Sequence, residues 1–65
     1  MTYNIHYHAF TQFGSYWVRY HNGTFEVRYR EDYADAETKT LFTGHLDECI
    51  NYVKEIEIAD LESKF

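Results

Sequence analysis

Proline is absent from this chain of 65 residues, glycine occurs three times and cysteine once. With so little of either backbone breaker, the composition is that of neither a disordered segment nor a linker. The lone Cys49 cannot close an internal disulfide, and no Cys/Cys or Cys/His cluster marks a structural zinc site. Long apolar runs are missing as well; nothing approaches the roughly 20 residues needed to cross a bilayer, so no membrane partner is expected. The opening Met-Thr-Tyr-Asn-Ile-His has no basic segment followed by an apolar one, so no export signal is expected. Together with one unpaired thiol, that points to a reducing cytoplasm.

Positive charge is also scarce. Six Lys and Arg stand against eleven Asp and Glu, for a net charge of −5. The imbalance is uneven. Three arginines against Glu26 leave residues 1–30 at +2, whereas three lysines against ten acids leave residues 31–65 at −7. The molecule is therefore expected to be electrically two-sided.

Aromatic side chains are plentiful: seven Tyr, five Phe and one Trp, 20% of the chain. A chain of this length forms one small domain spanning residues 1–65, and such domains bury only about 60% of their unfolded surface. Rings that bury roughly 150–250 Å² each are an economical way to build its core. Homodimerisation would be a further source of burial.

One stretch organises the rest. Asn22-Gly23 lies between two alternating segments, 16–20 and 25–30, and Asn-Gly favours the two-residue type I′ turn because both central residues need positive φ. That turn pairs Tyr20 with Phe25, Arg19 with Glu26, Val18 with Val27, Trp17 with Arg28 and Tyr16 with Tyr29. Side chains alternate along a strand, so Tyr16, Val18, Tyr20, Phe25, Val27 and Tyr29 share a core face. Trp17, Arg19, His21, Thr24, Glu26, Arg28 and Arg30 share the other.

Residues 2–10 alternate too, with Tyr3, Ile5, Tyr7 and Ala9 expected inward and Asn4, His6, His8 and Phe10 outward. The acidic stretch 31–37 reads as an exposed loop. Residues 38–43 read as a fourth strand in which either Leu41 or Phe42 could face inward. After Gly44 a helix is expected from about Leu46, with Leu46, Cys49, Ile50, Val53 and Ile56 as its apolar stripe. His45 would cap it, with Asp47 and Glu48 in the favourable first turn. Ile58 lies off the stripe, so fraying or bending is expected after Ile56. The sum is an α+β fold: a three- to four-stranded antiparallel meander with one C-terminal helix packed on one face.

Four constellations could carry chemistry. The outward face gathers Trp17, Arg19, Arg28, Arg30, His6 and His8, and Trp and Arg are the side chains most often found at binding hot spots. Its plainer reading is cross-strand tiling, with an Arg19–Glu26 charge pair and a Trp17–Arg28 contact. His6-x-His8, with His21 nominally on the same side, has strand spacing for a shared metal ion, but no fourth ligand is placed, so none is expected. Cys49 and His45 are one helical turn apart, yet Cys49 sits in the apolar stripe, where cysteine is a buried hydrophobe, and no catalysis is expected. The acidic half is either a solvated surface or a mimic of a phosphate backbone. Of these, the best-supported reading is a non-catalytic protein-interaction module, adaptor or inhibitor in type, that uses the outward face and needs no cofactor. Trp17 is its anchor. Single-stranded nucleic acid on the same face, held by stacking and arginine, and an acidic decoy are the alternatives; the negative charge makes nucleic acid the less expected partner.

Overall fold

The computed structural model describes residues 5–63. Four strands, β1 (Ile5–Phe10), β2 (Gly14–His21), β3 (Thr24–Glu31) and β4 (Thr38–Gly44), are followed by one helix, α1 (Leu46–Glu62). The strands form a single sheet in the order β1-β2-β3-β4, each neighbour antiparallel to the next. This is the expected α+β meander, in its four-stranded form. Tyr3 and Asn4 of the expected first strand lie outside the described residues.

The central hairpin has the register its turn dictates. Asn22 and Gly23 take φ of 52° and 81°, and the pairs run from His21–Thr24 through Val18–Val27 to Gly14–Glu31. Val18 and Val27 are fully buried, as are Cys49 and Val53 on the helix that faces them. Burying a valine side chain is worth about 1.5–3 kcal/mol, a large share of what so small a core can supply. Ala9 and Tyr16 complete the buried set. Aromatic rings close its margins: Tyr16 lies 4.6 Å from Tyr29, and Phe42 stacks on Tyr52 at 5.2 Å. Tyr20 departs from its expected inward role and is 46% exposed. It sits next to the hairpin tip, where its ring meets Phe25 edge-on at 5.2 Å.

Two irregularities break the strand alternation. Between Ile5 and Tyr7 the β1–β2 register shifts by one residue. Ile5 pairs with Arg19 while Tyr7 pairs with Val18, so the extra residue puts Ile5 on the side away from the helix. His6 moves the other way, its ring edge-on to Phe25 at 5.2 Å. The expected orientations of Ile5 and His6 are therefore exchanged. A similar shift in β4 pairs Phe42 with Val27 and Thr40 with Arg28, leaving Leu41 as the extra residue. Phe42 is thus the inward residue.

The helix is preceded by its cap residue His45, whose backbone is extended (φ −77°, ψ 159°), and whose N–H donates to Glu48 Oε1 at 3.2 Å. It does not fray after Ile56 but runs to Glu62. Asp60 explains why. Four residues beyond Ile56, it continues the inward stripe and is only 6% exposed. Its Oδ1 accepts the backbone N–H of Gln12 at 3.2 Å, while Gln12 Nε2 donates to Ser63 Oγ at 2.8 Å. The last turn is thereby fastened to the β1–β2 connection by hydrogen bonds.

Two substitutions test this account. A Cβ at Gly14 would stand 2.2 Å from the Arg30 carbonyl oxygen, so Gly14→Ala is expected to force the strands apart and cost roughly 1–3 kcal/mol. Gly23→Ala meets no neighbour and is expected to cost about 1 kcal/mol, for its positive φ alone. Urea midpoints of the two variants measure both. The tyrosines supply a pH test. Tyr7, Tyr16 and Tyr29 all hold their protons above the usual phenol value of 10.0. For Tyr7 the leading cause is the hydrogen bond it donates to Glu57; for Tyr16 and Tyr29 it is burial. The unfolded phenols ionise first, so stability should fall as pH rises from about 10 through the folded-state values. Tyr7→Phe should shallow that alkaline decline.

Candidate interaction face of the sheet

Among the described residues α1 is the only element outside the sheet; it covers the Val18–Val27 side, and no second described layer covers the other. The registers assign that open side. It carries Ile5, His8 and Phe10 from β1, Trp17 and Arg19 from β2, Glu26, Arg28 and Arg30 from β3, and Thr38, Thr40 and Thr43 from β4. Trp17 is half-buried on it. The His8 ring meets Trp17 at right angles with centroids 6.3 Å apart, and Phe10 lies 4.5 Å from His8. An aromatic row thus runs from the middle of the face to its β1 margin, ending at Phe10, which is 74% exposed. Rings in this edge-to-face arrangement hold one another without filling a core.

The three arginines are each tied within the chain. Arg19 Nε donates to Glu26 Oε1 at 2.8 Å, directly across the β2–β3 ladder; for a pair so near solvent, the contribution is at most about 1 kcal/mol. Arg28 turns Nη1 to Thr40 Oγ1 on β4, and its Nε is buried with no hydrogen-bond partner. A buried donor left unpaired costs about 1–3 kcal/mol. Arg30 reaches away from the row, donating from Nε to Ala36 O at 3.1 Å and from Nη2 to Ala34 O at 3.2 Å. It holds the acidic 31–37 connection against the end of β3.

Of the six residues expected to form one face, Trp17, His8, Arg19 and Arg28 are together, and Arg30 is at their edge. His6 is not among them. The β1 bulge carries it to the helix side, away from His8, because one inserted residue reverses every orientation before it. The same displacement dissolves the His6-x-His8 pair, and among the described residues no group of three or more His, Cys, Asp or Glu is placed to hold a metal ion. Phe10 and Ile5 are the open-face residues that sequence reasoning undervalued. Phe10 was legible as outward-pointing, while Ile5 was hidden by the bulge.

Cys49 is fully buried. Burial, aided by the charge of Glu48, pushes its thiol above the usual 9.0 against an opposing backbone hydrogen bond from Gly44. The acidic residues of α1 are partly committed: Glu48 to the His45 N–H, Glu57 to the Tyr7 hydroxyl and Asp60 to the Gln12 N–H. A cleft of about 270 Å³, lined by Gln12, Phe13, Tyr16, Ile56, Ala59, Asp60 and Ser63, opens where the β1–β2 connection meets the helix end. Gln12 and Ser63 bond side chain to side chain and Asp60 accepts the Gln12 backbone N–H, as described above; its walls are otherwise apolar. The signal for it in the sequence was an acid, Asp60, at an inward position of the helix. No described helix is long and apolar enough to cross a membrane.

Comparison of the chain with protein-family models, with curated proteins and with solved structures finds no match.

The state of Cys49 is checked directly. In the folded protein its reaction with a disulfide reagent such as Ellman's reagent at neutral pH should be far slower than in denaturant. Equal rates in the two states would contradict its burial.

Proposed function

We propose that this protein is a small, non-catalytic interaction module of the cytoplasm whose open sheet face receives a protein partner. The observation that carries the reading is the Trp17–His8–Phe10 row on a face that no layer among the described residues covers. Trp17 is the anchor, already ordered by its neighbours, so little side-chain freedom is lost on binding. Arg19 and Arg28 flank it as orienting donors, and Arg30 stands at the rim. Arg28 Nε itself is buried, so what Arg28 offers a partner is the outer part of its guanidinium. Four strands about 4.8 Å apart, each about seven residues long, present several hundred Å². That suits a small or transient interface.

Two observations weigh against the alternatives. Nucleic acid requires free cationic donors, whereas each arginine of the face has an internal hydrogen-bond partner and the chain is net negative. An acidic decoy requires carboxylates aimed at solvent, whereas Glu48, Glu57 and Asp60 serve the fold.

The chain has one tryptophan, so its fluorescence reports on the face itself. Affinity capture from the native cell, quantified against variants, is the primary test. Trp17→Ala should weaken the captured complex by on the order of 2 kcal/mol, about thirtyfold, as hot-spot truncations do, and should leave the circular dichroism of the fold intact. Adding the captured partner to the wild-type protein should shift Trp17 emission. Capture that survives Trp17→Ala but is lost when Asp47 and Glu48 are changed to Lys would move the function to the helix. Binding of mixed-sequence oligonucleotides that weakens steeply with salt would assign the face to nucleic acid instead.

A further inference from the structure

We propose that β1 is a self-pairing edge, and that two copies of the chain join β1 to β1 in antiparallel fashion to make one continuous eight-stranded sheet. The meander leaves two edges, β1 and β4, and they are not equivalent. Sheet edges resist pairing when they carry charge, proline, a bulge or a cover. β4 has Lys39, a bulge at Leu41 in its middle, and the acidic 31–37 connection beside its start. β1 has no Lys, Arg, Asp, Glu or Pro. Its bulge lies at the beginning, and residues 7–10 pair regularly with β2. The unpaired backbone of that stretch is a template for another strand.

Three observations identify the occupant as a second copy. The first is charge. The molecule is net −5 with ten of its eleven acids in the 31–37 stretch and on α1, so most approaches between copies bring like charges together. The β1 edge is a neutral seam, and Glu57, which reaches it from α1, already accepts the Tyr7 hydroxyl. The second is exposed apolar surface. Ile5, Phe10 and Phe13, all in β1 or the connection after it, are among the large apolar side chains left exposed by a core with only six buried hydrophobic residues among the described ones. A domain this small gains most from burying such groups in a partner.

The third is geometry. In antiparallel pairing, residues directly opposite each other point to the same side of the sheet. A two-fold axis perpendicular to the sheet therefore sets odd-numbered residues of 7–10 opposite odd, and even opposite even. His8 and Phe10 of one copy then meet the same pair of the other on the open face. Tyr7 and Ala9 meet their counterparts on the helix side. The row Trp17–His8–Phe10 becomes one band across two copies, both helices lie on one side, and the open face is doubled without a break. The interface is isologous and closed, so it ends at the dimer. A dimer of this kind would present two Trp17 anchors on one surface and bind a repeated or symmetric partner with avidity.

Sedimentation equilibrium of the purified chain, with no partner added, tests this separately from the partner-capture experiment. The expected mass is twice the 7.9 kDa of the chain, falling to the monomer on dilution. Phe10→Lys, at a mostly exposed position, should yield a folded monomer, whereas Leu41→Lys on β4 should leave the dimer intact. If Phe10→Lys does not fold, hydrogen exchange of the wild-type protein decides. The β1 amides not bonded to β2 should exchange more slowly as concentration rises, and those of β4 should not change. A wild-type chain that stays monomeric to millimolar concentration overturns the proposal. So does a dimer that persists in folded Phe10→Lys or dissociates in Leu41→Lys, or a concentration-dependent protection confined to β4.

Discussion

The register of the Asn22-Gly23 hairpin is the constraint on which the rest of this structure depends. Two residues with positive φ set which side chains oppose each other, and in a strand a slip of one residue sends every side chain to the opposite face. With the register as it is, Val18 and Val27 meet beneath α1 while Trp17 and Arg28 meet on the uncovered side. Core and candidate site are thus two consequences of one turn. Each additional strand extends this arrangement outward, and the helix packs where the valines are.

Both surfaces draw on the same few devices. On the helix side, buried apolar contact is concentrated in six residues, and hydrogen bonds finish what those contacts leave incomplete. The Gln12–Asp60–Ser63 fastening keeps the end of α1 on the sheet, and the Tyr7–Glu57 hydrogen bond ties the helix to β1. On the open side, cross-strand pairs hold Arg19 and Arg28, loop carbonyls hold Arg30, and the aromatic row is left exposed at one end. The polar ties stiffen the face, and the rings remain as the surface that a partner could dehydrate with gain.

The two bulges show how local backbone decides function-bearing detail. The one in β1 takes His6 out of the candidate site and puts Ile5 there; the one in β4 selects Phe42 over Leu41 for the core. A period-two pattern in a sequence cannot announce an inserted residue, because the pattern reads equally well on either side of it. Asp60 escaped notice for a related reason. An apolar stripe is traced through apolar residues, and the turn that it fastens is completed by a carboxylate with a backbone partner forty-eight positions away in the chain.

By itself, the sequence determined the strand succession, the hairpin register, the inward valines, the capped start of the helix and the two-faced character of the sheet. These follow from local chemistry: φ preferences at Asn-Gly, alternation along strands, and spacing along a helix. Only the tertiary structure decided which histidine stands beside Trp17, where each arginine spends its donors, how far the helix runs, and which edge of the sheet is left unprotected. Those outcomes depend on contacts between residues distant in the chain, and on single-residue insertions that pairing accommodates without leaving a mark on composition or periodicity.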